Sequence, residues 1–395
     1  MDDVLFLPQR CPYPPNKGDK IATWNILKHL AKRYRVHLGT YVDDPDDWQH
    51  ADVLRQTCAS VKLIDLDPRT AKIKSLSGFL TGEALSVAYY RQPAMQAWVD
   101  EKLASGVKRI FVFSSAMARY VTRAPGCVRI MDFCDLDSDK WRQYAAASAW
   151  PMSWVYAREA DKLLAWERRI AADFDHSLFI SEAETRDFKA LAPESAHKVS
   201  VLTNGVDAEY FSPEREYPRL DQAAAQLVFT GAMDYKPNID AVVWFAREVL
   251  PLLRQTHPQT GFTVVGSKPS AEVQDLAREP GIHVTGRVED VRPYLAHAAG
   301  VVAPLRIARG IQNKVLEGMA MGKTVICSPQ ALEGIAAQPG QNLLLADTPA
   351  AFADACRQVL DGQTNLGEAA RRCVLDTYAW DACLARLDTL LEPAA

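Results

Sequence analysis

The stretch GVVAPLRIARGIQNKVLEGMAMGKTVIC, residues 300–327, holds one complete structural unit. Gly300–Ala303 and Thr324–Cys327 are short β-branched runs, and Asn313–Met321 between them reads as a helix, so the stretch is a strand, a crossover helix and a second strand of a parallel sheet. The same rhythm extends in both directions. Towards the N-terminus lie the runs Leu227–Thr230, Phe262–Val265 and His283–Thr285, and towards the C-terminus Leu343–Leu345, with helical patterns at Asn238–Gln255, Ala271–Ala277 and Ala350–Leu360. An earlier series has runs at Val4–Leu7, Val36–Tyr41, Val61–Asp65, Arg109–Phe113, Val128–Asp132, His176–Ile180 and Val199–Leu202, with helices over Ile21–Tyr34 and about Ser153–Asp173.

Between the two series, Asp207–Ala225 breaks the rhythm with two prolines and dense charge, which is linker composition. The expected organisation is therefore α/β: a Rossmann-like domain over residues 1–206, a linker over 207–225, and a second Rossmann-like domain over 226–377. A final helical segment, Glu368–Leu391, is expected to return with residues 378–395 to the first domain. A length of 395 residues suits two domains, and 48% hydrophobic with 24% charged residues is enough to build two cores.

Charge and cysteine usage exclude other classes. The net charge of -4, from 45 basic and 49 acidic side chains, gives no footprint for nucleic acid, so an anionic ligand must be met by a local site. The eight cysteines form no C-x-x-C pair and stand beside no histidine at metal spacing, which predicts a reducing cytoplasm and no zinc site. The first ten residues, MDDVLFLPQR, lack the pattern of a signal peptide.

Doubly wound domains bind ligands beyond the carboxyl ends of their strands, so strand-to-helix junctions carry the candidate residues. In residues 304–322, Gly310 allows close backbone approach and Ile311, Gln312 and Asn313 open a helix whose amides can hold an anion. Arg306, Arg309 and Lys314 surround them with positive charge, and Glu317, one turn inside, can accept two hydroxyl hydrogen bonds from a ribose. A solvated helix end explains each residue singly; three cations, a glycine and a turn at one junction favour a ligand. At residues 8–20, prolines stiffen a loop in which Gly18 frees the backbone at a helix start, with Lys17 and Lys20 nearby; a phosphate loop and a stiff surface loop are equal readings. At residues 230–238, Gly231 admits a bulky ligand and Lys236 can reach a phosphate, although Pro237 and Asn238 also suit a plain helix start. Thr203–Asp207 reads as a hinge turn. Asp132, Asp135, Asp137 and Asp139 resemble a carboxylate cluster but suit caps and solvated loops better.

Taken together, NGVD (204–207), VFTGAMDYKPNIDAVVWF (228–245), VVGSKP (264–269), VTGRVEDVRPYLAHA (284–298) and the stretch from residue 301 to 326 resemble the nucleotide-sugar half of a family 4 glycosyltransferase of GT-B architecture, and more closely the sugar transferases associated with exosortase-linked exopolysaccharide systems. The resemblance implies a retaining glycosyltransferase, two Rossmann-like domains facing across a cleft, and transfer without a bound metal from a nucleotide diphosphate sugar, UDP- or GDP-linked, to a glycan or lipid-linked acceptor. Glu317 matches the second Glu of the family's E-x7-E pattern, with ribose binding as its implied role. Arg309 stands where the first Glu is usual, and Ala232 where many members have a diphosphate-binding Arg; Lys236 lies near the usual Lys. Arg306, Arg309 and Lys314 are expected to supply the missing charge. No histidine follows Phe111–Phe113, so no catalytic base is assigned; in the front-face route that the resemblance implies, the leaving phosphate accepts the proton. A nucleotide-sugar epimerase or hydrolase and a silent binding scaffold are the competing readings. The face carrying Lys28, Lys32, Arg33 and Arg35 reads first as solvated and second as a weak contact with the inner-membrane surface.

Overall fold

The computed structural model describes residues 1–220, 226–308 and 311–392. Contacts divide the chain into two units, Met1–Asn204 joined by the chain from Cys383 onward, and Gly205–Ala382.

The first unit is built on a seven-stranded parallel sheet of order β3-β2-β1-β4-β5-β6-β7. Its strands are β1 (Asp3–Pro8), β2 (Arg35–Val42), β3 (Ser60–Asp65), β4 (Arg109–Phe113), β5 (Val128–Cys134), β6 (His176–Phe179) and β7 (Val199–Val201). The second unit has a six-stranded parallel sheet of order β10-β9-β8-β11-β12-β13, from β8 (Gln226–Thr230), β9 (Gly261–Val265), β10 (Ile282–Val284), β11 (Gly300–Ala303), β12 (Val325–Cys327) and β13 (Leu344–Leu345). Each strand run read from the sequence is present. The central strands β8, β9 and β11 are buried along their whole length, as parallel strands covered by helices on both faces must be.

Strand order reverses between β1 and β4 in the first sheet and between β8 and β11 in the second. Connections leave a reversal in opposite directions, so a crevice opens at the strand carboxyl ends. In the second unit that crevice is bordered by the loop after β8 and by the loop leading into the helix Asn313–Ala320.

Two helical expectations are refined. The expected helix over 238–255 is α-helical only in Lys236–Trp244, widens to a π-turn over Phe245–Val249, and resumes as Leu250–Arg254. Pro251 lacks the N–H that would bond four residues back, so the ladder changes register just before it. The final segment is two helices, Gly367–Thr377 and Trp380–Leu390. They part at Tyr378–Ala379, where the Tyr378 carbonyl accepts from Val206 N–H at 2.7 Å and Ala379 pairs with Val206 in an isolated bridge.

From Cys383 the last helix belongs to the first unit, where Leu384, Leu387 and Leu391 are buried. Asp388 lies 3.0 Å from His29 Nε2 and 3.0 Å from an Arg33 guanidinium nitrogen. Arg35 is paired with Asp3 at 3.4 Å. The basic face read from residues 28–35 is thus partly neutralised within the protein. The segment 207–220 packs within the second unit, where Arg371 donates to the Ala208, Phe211 and Ala320 carbonyls at 3.4, 3.1 and 2.6 Å. Truncating Leu387 to Ala should destabilise the protein by about 2–5 kcal/mol, the cost of a cavity at a fully buried leucine. Urea unfolding followed by far-UV circular dichroism measures it, and an unchanged midpoint would show that this helix contributes nothing to the core of the first unit.

Candidate donor-binding site

At the strand reversal of the second sheet lies a hollow of about 560 Å³. Thr230, Gly231 and Ala232 come from the end of β8, Val265, Gly266 and Ser267 from the end of β9, and Ile311, Gln312, Asn313, Lys314 and Glu317 from the loop and helix after β11; Asn238 and Arg287 complete the polar wall.

Backbone proximity creates this hollow. Gly231 has φ +155°, and a Cβ there would stand 2.7 Å from Asn238 Nδ2. A Cβ on Gly266 would stand 1.7 Å from the Gly231 carbonyl oxygen, so the ends of β8 and β9 meet main chain to main chain. Gly231 N–H donates to the Val265 carbonyl at 3.0 Å and Met233 N–H to the Ser267 carbonyl at 2.8 Å, which locks both loops. Asn238 Nδ2 donates to the Ala232 carbonyl at 2.9 Å. Its Oδ1 and the Thr230 hydroxyl are buried without a hydrogen-bond partner among the described residues. Buried polar atoms in that condition cost stability unless a ligand or solvent engages them.

On the opposite wall, Gln312 precedes the helix Asn313–Ala320, whose first-turn N–H groups have no carbonyl one turn back within the helix and face the hollow with the positive end of its dipole. Lys314 and Glu317, three residues apart, share one face. Burial pushes the Lys314 ammonium below its ordinary value although Glu317 opposes it, and its Nζ lies 5.3 Å from the Phe229 ring centre. Burial raises the Glu317 carboxyl to about 7 while Lys314 pulls it down. A half-buried acid beside a half-buried cation, next to a helix N-terminus and two buried polar atoms without a partner among the described residues, suits a ligand carrying hydroxyls and negative charge together.

The structure therefore brings together Gly231, Ile311, Gln312, Asn313, Lys314 and Glu317. Arg309 and Gly310 lie outside the described residues. Arg306 and Lys236 do not line this hollow: they border a separate one of about 380 Å³ with Asp240 and Trp244. Arg306 Nε donates to Asp240 at 2.9 Å, so its charge is already matched. This corrects its expected place beside Lys314. Gly18 begins the helix Gly18–Ala31 in the first unit, and a Cβ there would meet no atom within 4 Å, so no close approach requires glycine. Lys20 is fully buried against Asp47 at 2.6 Å, an internal ion pair and not a phosphate contact. Among the described residues no group of His, Cys, Asp or Glu forms a metal cage, and Asp132 is buried at the end of β5, its carboxyl raised to about 7 by burial.

Sequence reasoning did not single out Gly266 or Arg287. Gly266 was legible as a glycine directly after a β-branched run, and Arg287 as a cation three residues beyond the end of β10. Both lie far from the stretch after β11, and only the sheet order places them beside it.

Residues 224–362 match a family model described as glycosyl transferases group 1. No curated protein sequence matches the chain. Among solved structures, a glycosyltransferase from Rickettsia africae is similar over 100% of both chains (TM-score 0.64, 13% identity). The Anabaena protein HepE in complex with UDP is similar over 99% of each (TM-score 0.64, 16% identity). WaaG, a glycosyltransferase involved in lipopolysaccharide biosynthesis, is similar over 99% of this chain and 100% of its own (TM-score 0.60, 16% identity). The chain thus has two parallel-sheet α/β domains, the architecture of these GT-B structures, and the match to the group 1 glycosyl transferases model falls on residues 224–362.

The raised Glu317 carboxyl has a defined effect on stability. Between its ordinary value of 4.5 and about 7 the folded protein holds a proton that the unfolded chain has released, so this group makes folding less favourable as pH rises. Glu317→Gln should therefore gain stability over the wild type from about pH 5 to about pH 8, read as a growing difference in Tm. Other buried acids are common to both proteins and cancel. A difference independent of pH would show that the Glu317 carboxylate is well solvated.

Proposed function

We propose that the protein is a retaining, family 4 glycosyltransferase that moves a sugar from a UDP- or GDP-sugar to an acceptor hydroxyl, working in the cytoplasm. The observation that carries this reading is the pairing of the Asn313–Ala320 helix terminus with Glu317 inside one hollow at the strand reversal. A nucleoside diphosphate carries ribose hydroxyls and phosphates together, and the hollow offers both an acid and an anion-binding helix end. HepE, of the same fold, is a complex with UDP, and a further HepE structure is a complex with UDP-glucose, which favours a uridine donor.

In this reading the ionised Glu317 accepts from the two ribose hydroxyls, and the first-turn amides with Lys314 and Arg287 hold the diphosphate. Arg287 takes the place that Arg306 loses to Asp240, and Arg309 is proposed to supply a further charge. Departure of the nucleotide concentrates negative charge on the β-phosphate, where amides and cations already in position stabilise the transition state more than the ground state, without requiring a metal. The same phosphate oxygen takes the acceptor's proton while the new glycosidic bond forms on the face that the leaving group vacates. The acceptor is proposed to be a glycan or a lipid-linked sugar in exopolysaccharide or surface-glycan assembly, on the resemblance to exosortase-linked transferases.

Two measurements test this. With purified protein, free nucleoside diphosphate should accumulate from a nucleotide sugar only when a membrane or glycan extract supplies an acceptor. Turnover without acceptor would indicate a hydrolase or epimerase, and binding without turnover a silent scaffold. In calorimetric titrations the wild type should prefer UDP over 2′-deoxy-UDP, and Glu317→Gln should weaken UDP binding roughly ten- to a hundred-fold and lose most of that preference. Retention of the preference would remove Glu317 from the ribose.

A further inference from the structure

The helix Pro68–Ser75 packs through Ala71 and Ser75, which are buried, and turns its large apolar residue outward: Ile73 is 69% exposed. The next helix, Ser77–Thr81, buries only Gly78 and leaves Leu80 91% exposed. This is the reverse of an ordinary surface helix, whose large apolar side chains point inward. Beside it, the turn between the helices Asp137–Ala147 and Met152–Asp173 carries Trp150, 81% exposed, and the first turn of the second helix carries Trp154, 57% exposed.

These two segments, some seventy residues apart, form one continuous surface. Phe79 stacks on Trp154 with ring centres 6.1 Å apart and planes within 7° of parallel. Arg158 lies 4.7 Å above the Phe79 ring and donates to the Gly78 carbonyl at 2.7 Å, latching the helix to the hairpin. A hollow of about 550 Å³ between Ile73, Leu76 and Leu80 deepens the apolar face.

Charge identifies the partner. Although the chain is net negative, residues 68–82 contain Arg69, Lys72 and Lys74 and no acid, and residues 140–158 contain Lys140, Arg142 and Arg158 and no acid. The flanking acids are engaged: Asp67 caps the helix that starts at Pro68, Glu83 is ion-paired with Arg91, and Asp161 with Arg142 at 3.4 Å, so Arg69, Lys72 and Lys74 carry the positive charge of this face. Protruding Trp and Leu side chains within a rim of Lys and Arg match the two layers of a bilayer surface, acyl chains below and anionic headgroups above. A flat protein interface would not need tips that stand this far into solvent. Among the described residues no helix is long and apolar enough to cross a membrane, so the contact is one of lying on the surface.

We propose that the surface formed by Ile73, Leu76, Leu80, Trp150 and Trp154, with Lys72 and Lys74, docks the protein on an anionic lipid bilayer. This face lies apart from the Lys28–Arg35 face, two of whose arginines are ion-paired within the protein, and the proposal stands whether or not the donor-site reading does.

Flotation of the full chain with vesicles tests it. Vesicles containing about a third phosphatidylglycerol in phosphatidylcholine should carry the protein upward, and phosphatidylcholine alone should carry it much less. Leu80→Ser with Trp150→Ser should lower the vesicle partition coefficient roughly ten-fold or more, and Lys72→Glu with Lys74→Glu should weaken binding to anionic vesicles selectively. All four side chains are exposed, so folding is preserved and circular dichroism verifies it; Leu375→Ser, exposed on the second unit, should bind as wild type. No flotation with anionic vesicles, or flotation unchanged in both double variants, would overturn the proposal. So would a wild-type dimer in solution that both variants convert to monomer without any vesicle binding, since the surface would then be a self-contact.

Discussion

The close meeting of main chain at Gly231 and Gly266 is the constraint on which the candidate site depends. Parallel strands normally end with side chains that hold their following loops apart. Here a single methyl group on Gly266 would overlap the Gly231 carbonyl, and one on Gly231 would strike the Asn238 amide. The two loops consequently lie flat against each other, stitched by two backbone hydrogen bonds, and leave the crevice at the strand reversal open. The helix Asn313–Ala320 forms the opposite wall because the chain after β11 must leave in the other direction.

The contents of that crevice oppose folding. Glu317 and Lys314 are both shifted towards their neutral forms by burial, and Thr230 and Asn238 each keep a buried atom without a partner among the described residues. Core packing elsewhere in the second unit, where residues from Leu227 to Val374 form one apolar cluster, offsets such local costs. A ligand that donates two hydroxyls to Glu317 and brings negative charge to Lys314 would relieve the same groups. Stability and binding are thereby linked through one carboxylate.

The fold was legible because the strands carry the strongest signal a sequence can give. β8, β9 and β11 are rich in apolar and β-branched residues since both faces are buried, and the reading at residues 300–327 needed no long-range knowledge. Residues 66–108 remained unread for the opposite reason. Their helices bury Ala71, Ser75, Val87 and Ala88 and expose Ile73 and Leu80, so the apolar period there does not mark the core. At the site, Lys314 and Glu317 were found because one helix fixes their spacing. Arg306 was misplaced because proximity in sequence gives no direction, and Asp240, sixty-six residues earlier, takes its guanidinium. Gly266 and Arg287 needed the order of β9, β8 and β11 before they could be joined to the rest.

The most direct test of the account is a structure of the protein with a nucleoside diphosphate bound. The account predicts the ribose hydroxyls at hydrogen-bonding distance, roughly 2.6–3.0 Å, from the Glu317 carboxylate, with the phosphates on the amides that begin the Asn313–Ala320 helix and beside Lys314. A nucleotide seated elsewhere, with Glu317 free of the ribose and the helix terminus free of phosphate, would contradict it.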